Sequence, residues 1–206
     1  MALRFPREEG VDSDFITCFL RNTYGLGQQL GEVRAILDVG ANAGFFSLAA
    51  RAHYPEAAIH AYEPNPRILP YLHANVDGSD VVVYPEAVSD AEGFVTMLDD
   101  GPSDEARTRL SDGSKGGIRQ IGLRTAVERM GGRVDLLKLD CEGAEWEILR
   151  LDDDCWRAVR NIRMEYHEYD GATLEQAVQM LAARGFRVIH AGSFNEVGGT
   201  IWAVRA

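Results

Sequence analysis

Short apolar runs alternate with segments of helical periodicity through most of this 206-residue chain. Such runs, the first of which ends in glycines, are typical of buried strands in a parallel sheet. The predicted strands are 35–39, 58–62, 81–84, 134–139, 161–166, 186–190 and 201–205. The predicted helices are 45–52, 65–76, 121–131, 144–149 and a last one that runs from a capping box at Thr173 to a left-handed cap at Gly185. This alternation predicts an α/β fold, a doubly wound, mostly parallel sheet with helices on both faces.

Two parts of the chain depart from the alternation. Residues 1–34 are irregular apart from an apolar run at 15–20, so we predict a helical lead-in there and a main domain at 35–206. Residues 86–98 are predicted to form a loop and an extra strand. Residues 99–118 are rich in Asp, Gly and Ser and are predicted to be a mobile loop. The length fits one domain with an appendage.

Composition and charge narrow the function classes. Apolar residues make up 46% and charged residues 26% of the chain, as in ordinary globular proteins. The 21 basic and 32 acidic residues give a net charge of −11 with no basic stripe to offset it, so nucleic acid is not an expected partner. The chain has three scattered cysteines, no apolar leader and no apolar stretch of about 18 residues. These features predict a reduced, cytoplasmic protein with no membrane partner.

The turn after the first strand has the composition of a nucleoside-binding loop. In Asp38-Val-Gly-Ala-Asn-Ala-Gly44 the glycines allow a tight turn, and the next helix offers unpaired N–H groups. Glu63 follows the second strand and lies 23 positions after Gly40, near the offset of about 20 residues expected of an acid that binds ribose hydroxyls. Ligands bind outside the carboxyl ends of the strands in such sheets. Together these features predict a nucleoside cofactor; the alternative is a turn glycine and a solvated acid.

Position 42 distinguishes between nucleoside cofactors. A dinucleotide-binding loop needs a glycine there so that the backbone can approach the pyrophosphate, and this chain has Asn42. S-adenosyl-L-methionine has no pyrophosphate, and its cationic part suits Asp38. We therefore favour S-adenosylmethionine. The alternative is an NAD(P)-dependent oxidoreductase, although the chain lacks a Tyr-x-x-x-Lys pair.

A second cluster of polar residues surrounds the end of the strand at 134–139. Lys138 stands inside an apolar run, where a charge is costly unless paired, and it faces the same side as Asp140. Asp140 lies where the amino-acid part of the cofactor would be, and Glu142 precedes a helix, whose positive end suits a carboxylate. The alternative is a structural role, with a buried ion pair and a helix cap. Cys141 is expected to pack.

His167, at the end of the next strand, is the candidate general base. If that strand neighbours the one before Asp140, the imidazole meets Asp140 and Glu142 over the methyl group of the cofactor. Histidine titrates near neutral pH and is the usual base for removing a hydroxyl proton. The alternative is a structural histidine.

Several stretches together resemble the FkbM family of S-adenosylmethionine-dependent methyltransferases. These stretches span about 35–170 and are Ile36–Phe45, Tyr62–Asn65, Glu86–Asp90, Leu137–Trp146 and Glu165–His167. The resemblance implies a Rossmann-like class I methyltransferase fold with seven strands and a reversed last strand. It also implies methyl transfer to a hydroxyl, typically of a natural product or sugar.

The resemblance further implies which residues contact the cofactor. They are Asp38, Gly40, Asn42 and Gly44 at the methionine part, Glu63 and Asn65 at the ribose, and Ala87 and Val88 at the adenine. The chain departs from the family at Cys141, where an aliphatic residue is usual. Its N-terminal extension is also short, so the substrate lid is either reduced or supplied by a second subunit, as in a homodimer.

The expected activity is O-methyl transfer to a small-molecule acceptor, with His167 as the base and with Asp140 and Glu142 orienting it or the acceptor. No metal is expected, although these three residues could bind Mg²⁺. The chain has no G-x-S-x-G, P-loop or H-E-x-x-H motif, which argues against common hydrolases, P-loop NTPases and zinc proteases. A non-catalytic protein that binds the cofactor is a further alternative, because a binding site and a turnover site share most residues.

Overall fold

The structure, a computed structural model, describes residues 3–6, 15–98, 107–113, 117–151, 154–168, 172–195 and 198–206. The strands are β1 (Ala35–Val39), β2 (Ala58–Tyr62), β3 (Val81–Tyr84), β4 (Ala87–Ser89), β5 (Gly93–Met97), β6 (Thr108–Ser111), β7 (Ile118–Gly122), β8 (Leu136–Leu139), β9 (Asn161–His167), β10 (Phe186–Asn195) and β11 (Gly198–Arg205). The α-helices are α1 (Phe45–His53), α2 (Leu69–Val76), α3 (Leu123–Arg129), α4 (Ala144–Arg150) and α5 (Leu174–Ala183). A π-helical segment (Ile16–Leu20) and a 3₁₀ helix (Asp154–Ala158) complete the regular structure of the described residues.

Seven strands form the central sheet, in the order β10-β11-β9-β8-β1-β2-β3. The pairs β1–β2, β2–β3, β1–β8 and β8–β9 are parallel. The last strand, β11, is antiparallel to both of its neighbours, β9 and β10. The predicted doubly wound sheet with a reversed last strand is confirmed.

Buried apolar residues cover both faces of this sheet. On one face, Leu37 and Val39 of β1 pack in a core with α3, α4 and α5. On the other face, Ile36 packs in a core with α1 and with Tyr24 of the N-terminal segment. Alternate residues of β1 therefore enter different cores, as the two-residue period of a strand requires. Asp38 shares the face of Ile36, so it lies on the side of α1 and the N-terminal segment.

A second sheet, with four strands, occupies a region where the sequence predicts mostly loop. Its order is β4-β7-β5-β6, with β4 parallel to β7 and the other two pairs antiparallel. β5 confirms the predicted extra strand, whereas β4 and β6 replace predicted loop and β7 replaces the start of a predicted helix. β6 is a short edge strand without buried residues, so backbone pairing with β5 orders it, and it carries no apolar pattern. Residues 99–106 and 114–116, within the predicted mobile loop, lie outside the described residues.

Helix ends agree with the sequence at α5 and differ at α2. The capping box at Thr173 is present, and Gly185 follows α5 with φ +79°. The predicted helix start at Asn65 is wrong, because α2 begins at Leu69. Asn65 Oδ1 instead accepts a hydrogen bond from the backbone N–H of Arg67 at 3.0 Å, which closes a separate turn before the helix.

The N-terminal segment contributes little regular structure. Among its described residues, the π-helical segment is followed by turns that lead to β1. The division into a lead-in at 1–34 and a main domain at 35–206 stays a prediction. Within the described residues, no helix combines the length and the apolar character needed to cross a membrane.

Candidate functional site

The residues singled out in the sequence gather at one edge of the central sheet. Because β1, β2, β8 and β9 run parallel, their carboxyl ends meet there. The chain passes from β1 outward to β2 and β3 and later returns to β8 on the other side of β1, which makes this edge a topological switch point. Ligands bind at such points in open α/β sheets.

The loop after β1 depends on backbone conformations that favour glycine. Gly40 has φ +78°, and a Cβ there would lie 1.7 Å from the carbonyl oxygen of Asp140, so no side chain fits. Asn42 (φ +45°) and Gly44 (φ +85°) are also left-handed, and Gly44 immediately precedes α1. The Gly40 N–H donates to the Tyr62 carbonyl at 3.0 Å, which ties the loop to the end of β2.

Glu63 is held by backbone groups on both carboxylate oxygens. The Asn42 N–H donates to Oε2 and the Asn65 N–H donates to Oε1, each at 2.8 Å. Burial raises the pKa of Glu63 to about 7, although these two hydrogen bonds lower it. Each carboxylate oxygen has a second lone pair. The group can therefore accept hydrogen bonds from two ligand hydroxyls while its orientation stays fixed.

Lys138 links the two sides of the site. Its ammonium donates to the Gly40 carbonyl and lies 3.4 Å from Asp38 Oδ1 and 3.2 Å from Asp140 Oδ2. Asp38 also accepts a hydrogen bond from the Ser47 hydroxyl (2.6 Å) and is fully buried. Burial alone would lower the pKa of Lys138, but the carboxylates of Asp140 and Asp38 outweigh it and raise the pKa. The predicted pairing of Lys138 is confirmed, and Asp38 faces this ammonium from within the core.

Asp140 is also contacted from the N-terminal segment. The Tyr24 hydroxyl donates to Asp140 Oδ2 at 2.8 Å, the same oxygen that faces Lys138. Tyr24 is buried, and its ring meets Phe46 of α1 edge to face, with 5.2 Å between ring centroids. The sequence analysis did not single out Tyr24, because it is far from Asp140 along the chain and lies in an irregular segment.

His167 lies between two carboxylates. Its Nε2 is 3.5 Å from Glu165 Oε1 and 3.8 Å from Glu142 Oε1. The hydrogen bond with Glu165 raises the pKa of His167 to about 9, against the effect of partial burial. Burial raises the pKa of Glu142 to about 8 and that of Glu165 to about 7. We call Glu142, Glu165 and His167 the acid–base cluster, since all three exchange protons within a few pH units of neutrality.

The cluster differs in one member from the sequence-based expectation. His167 meets Glu142 as predicted, whereas Asp140 turns to Lys138 and Tyr24. Glu165 takes the place of the second acid. A signal for it was present, because Glu165 precedes His167 by two positions on β9 and alternate residues of a strand share a face. Among the described residues, no group of three or more His, Cys, Asp and Glu side chains could hold a metal ion.

A buried acid holds the turn that carries Glu142. Glu142 (φ +53°) and Gly143 (φ +113°) are both left-handed. The Glu145 carboxylate accepts hydrogen bonds from the backbone N–H groups on either side of Glu142, those of Cys141 and, at 2.7 Å, Gly143. Glu145 is fully buried, and burial raises its pKa. Cys141 packs against the core, as expected.

The residues implied for the adenine lie on the second sheet. Ala87 and Val88 belong to β4 and are both buried. The Val88 side chain packs in the same core as Leu37 and Val39, so it does not face a ligand site. Any contact of Val88 with a ligand would therefore use its backbone.

The sequence from Asp38 to Val188 matches the pattern of the methyltransferase FkbM domain. The match covers well over half of the chain and includes the glycine-rich loop, Glu63, Asp140 and the acid–base cluster. The chain belongs to the FkbM methyltransferase family. The resemblance noted in the sequence is thereby confirmed.

Two relatives of this FkbM methyltransferase are similar over most of their length. The chain is 31% identical over 208 residues to the 31-O-demethyl-FK506 methyltransferase FkbM of Streptomyces tacrolimicus, which covers 84% of this chain and 78% of that protein. It is 30% identical over 194 residues to methyltransferase sdnD of Sordaria araneosa, a match that covers 74% of this chain and 73% of that protein. A solved magnesium protoporphyrin IX methyltransferase from Synechocystis PCC 6803, with bound SAM, shares the fold at a TM-score of 0.57 and 11% identity. That match covers 98% of this chain and 87% of the other.

Membership of the family settles two of the expectations from the sequence. This FkbM methyltransferase depends on S-adenosyl-L-methionine as its cofactor, and its fold is that of class I methyltransferases. The NAD(P)-dependent oxidoreductase, considered because of the fold topology, is set aside.

Proposed function

We propose that this methyltransferase acts on a hydroxyl group of a small molecule. The acid–base cluster of Glu142, Glu165 and His167, at the carboxyl ends of β8 and β9, carries the proposal. A neutral alcohol is a poor nucleophile until its proton is removed, so O-methyl transfer benefits from a base beside the acceptor. The cluster lies next to Asp140, on the same edge of the sheet as the glycine-rich loop.

Glu63 fits the ribose of the cofactor, and the residues of the glycine-rich loop fit its methionine part. Glu63 has two fixed oxygens that suit the two ribose hydroxyls, with Asn65 supporting it through its backbone N–H. The loop residues that would line the methionine part are Gly40, Asn42 and Gly44. At Gly40 the backbone already approaches Asp140 so closely that a side chain would fill the space between the two strand ends.

The other proposed cofactor-site residues have more indirect roles or lie at the two ends of the cofactor. The carboxylate of Asp140 suits the ammonium group of the methionine part. Asp38 acts from within the core, since its contact with the site runs through Lys138. Ala87 and Val88 would border the adenine, Val88 through its backbone.

When bound, S-adenosylmethionine supplies an electrophilic methyl group on a sulfonium centre. The residues of the chain then orient the acceptor and take up its proton. Neutral His167 is the proposed base, and Glu165 and Glu142 stabilise the imidazolium that forms. The same stabilisation raises the pKa of His167 to about 9, so most of the imidazole is protonated at pH 7. Turnover should therefore increase with pH.

Two observations support a small, hydroxyl-bearing acceptor. The net charge of −11 and the carboxylates of the site disfavour acceptors with a phosphate backbone. The name of the Streptomyces tacrolimicus relative, 31-O-demethyl-FK506 methyltransferase, refers to methylation of an oxygen. A homodimer in which the second subunit completes the acceptor pocket stays a prediction.

The test is a turnover assay with S-adenosylmethionine labelled in its methyl group. The acceptors form two matched panels, small molecules with hydroxyl groups and the same scaffolds with amines in their place. We expect labelled methyl ethers from the hydroxyl panel. His167→Ala should lower kcat by about 100-fold or more and leave cofactor affinity nearly unchanged. His73→Ala, which changes an exposed histidine on α2, serves as the control.

Each other outcome contradicts a separate part of the proposal. Product from the amine panel alone would exclude O-methylation. A His167→Ala variant that loses cofactor affinity together with activity would show that His167 is not the base. Cofactor binding without product from either panel would favour a non-catalytic binding protein.

A further inference from the structure

We propose that Tyr24 is a positioning residue of the cofactor site: its hydroxyl fixes the carboxylate of Asp140, and a strap formed by residues 22–28 carries it there. The inference rests on the role proposed above for Asp140 in holding the methionine part. It concerns a segment that lies before the region matched by the FkbM domain, which begins at residue 38.

The hydrogen bond from Tyr24 restricts how Asp140 can turn. The Tyr24 hydroxyl (2.8 Å) and the Lys138 ammonium (3.2 Å) both approach Oδ2. These two contacts on Oδ2 restrict the rotation of the carboxylate, and neither of them uses Oδ1, which can still accept a hydrogen bond from a ligand. Burial and the nearby Asp140 charge raise the pKa of Tyr24 well above its ordinary value, so the phenol stays a hydrogen-bond donor at all working pH values.

A buried arginine holds the strap against the sheet. Arg163 of β9 donates from Nε to the Tyr24 carbonyl at 2.8 Å and from Nη2 to the Gln28 carbonyl at 2.9 Å. Its guanidinium also lies 5.0 Å from the centre of the Trp202 ring. Arg163 is fully buried. A buried cation that binds two strap carbonyls is costly to displace, because its hydrogen bonds could not be replaced by water inside the core.

Trp202 and the conformation of the strap itself supply the remaining constraints. Trp202 Nε1 donates to the Thr23 carbonyl at 2.9 Å. Gly25 has φ +58°, and a Cβ there would lie 2.5 Å from the Trp202 ring, so the strap lies directly on the indole. The Asn22 side chain bonds to both the N–H and the carbonyl of Leu26, at 2.8 and 3.0 Å, and closes the turn. The position of Tyr24 is thus set by contacts on both sides of it along the chain.

The experiment measures the affinity for S-adenosylmethionine by titration calorimetry in two matched variants. Tyr24→Phe removes the hydroxyl that bonds to Asp140 and keeps the ring against Phe46. Tyr54→Phe removes a hydroxyl that accepts a hydrogen bond from the N–H of Gly27, also in the strap, at 2.8 Å, but does not touch Asp140. We expect about tenfold weaker binding for Tyr24→Phe, as for the loss of one hydrogen bond to a charged group. The Tyr54→Phe variant should bind within about twofold of the unmodified chain.

A double-mutant cycle separates this inference from the proposed role of Asp140. If Tyr24 acts through Asp140, adding Tyr24→Phe to Asp140→Asn should cause no further loss of affinity. If Asp140→Asn alone binds the cofactor normally, the role of Asp140 is wrong. If Asp140→Asn weakens binding but Tyr24→Phe does not, or if the two losses simply add, the Tyr24 inference is overturned and the role of Asp140 stands.

A second variant keeps the inference testable if Tyr24→Phe does not fold. Gly25→Ala forces the strap away from Trp202 without changing any side chain that contacts Asp140. It should weaken cofactor binding at least as much as Tyr24→Phe does. Unchanged affinity in a folded Gly25→Ala chain, verified by thermal unfolding, would show that the strap does not position Asp140.

Discussion

At the ends of β1 and β2 the site is shaped by backbone atoms, whereas at the ends of β8 and β9 it is shaped by ionisable side chains. In the first region, left-handed residues set the loop, and backbone N–H groups orient Glu63. In the second region, the carboxylates of Glu142 and Glu165 each lie within 4 Å of His167 Nε2, and the pKa values of all three side chains are raised. Lys138 joins the two regions through the Gly40 carbonyl and Asp140.

This difference means that the two regions should respond to different changes. A region shaped by backbone atoms tolerates side-chain changes that leave the backbone conformation intact. It loses its binding geometry when an added atom displaces the backbone. A region defined by ionisation responds to pH and to any change in neighbouring charge, even where the shape is kept. Mutations chosen to alter only shape or only charge should therefore separate the two.

The largest effect is expected from blocking the backbone-defined region with Gly40→Ala. The new Cβ would collide with the Asp140 carbonyl, and alanine is strained at φ +78°. We expect cofactor affinity to fall by about 100-fold or more, as measured by calorimetry. Gly78→Ala is the matched control, since Gly78 has φ +70° with no atom within 4 Å of the added Cβ. It carries the strain of a left-handed alanine without the collision, so equal losses in both variants would contradict the steric argument.

The sequence was informative about the backbone-defined region for a physical reason. A glycine-rich turn after an apolar strand and an acid 23 positions later are local patterns, and the parallel topology then brings them together. The same alternation predicted the doubly wound central sheet, which the structure confirms. The second sheet could not be predicted in this way, because β6 owes its order to pairing with β5 and none of its residues is buried.

The ionisable region and the strap were only partly predictable. His167 and Glu142 were found from their positions at strand ends, but the choice between Asp140 and Glu165 as the second acid depends on side-chain orientation. Asp140 is drawn away by Tyr24, a residue more than 100 positions earlier in the chain. No local pattern encodes a contact of that kind, since it depends on Arg163 and Trp202 fixing an irregular segment.

A smaller effect, but one specific to the ionisable region, is expected in the pH profile. The base must be neutral to accept a proton, so kcat/KM should increase with pH, with an inflection near pH 9, the pKa of His167, and level off above it. Glu165→Gln removes the largest cause of that raised pKa, and the inflection should move down towards the ordinary histidine value of about 6.5. The measurement is kcat/KM against pH for both chains. An inflection that stays in place in the variant would show that another group is the base.

The smallest effect is expected from Glu145→Gln, which tests whether the ionisable region also depends on a fixed backbone. Each carboxylate oxygen of Glu145 accepts from one backbone N–H, that of Cys141 or that of Gly143. In the amide only one oxygen remains, and the NH₂ group that replaces the other is a donor facing an N–H donor. One hydrogen bond is therefore lost, and the turn that carries Glu142 becomes less stable. We expect kcat to fall about fivefold with cofactor affinity unchanged. The pH inflection should move down slightly, because the Glu145 charge is a minor cause of the raised pKa of His167 and the main cause, the hydrogen bond with Glu165, is kept. Glu147→Gln on the same helix is the control; its exposed side chain bonds to the Ser89 hydroxyl and does not contact the turn. If Glu145→Gln lowered the melting temperature but left kcat unchanged, the role of the buried acid would be limited to stabilising the fold. The orientation of the Glu142 side chain would then not depend on the turn.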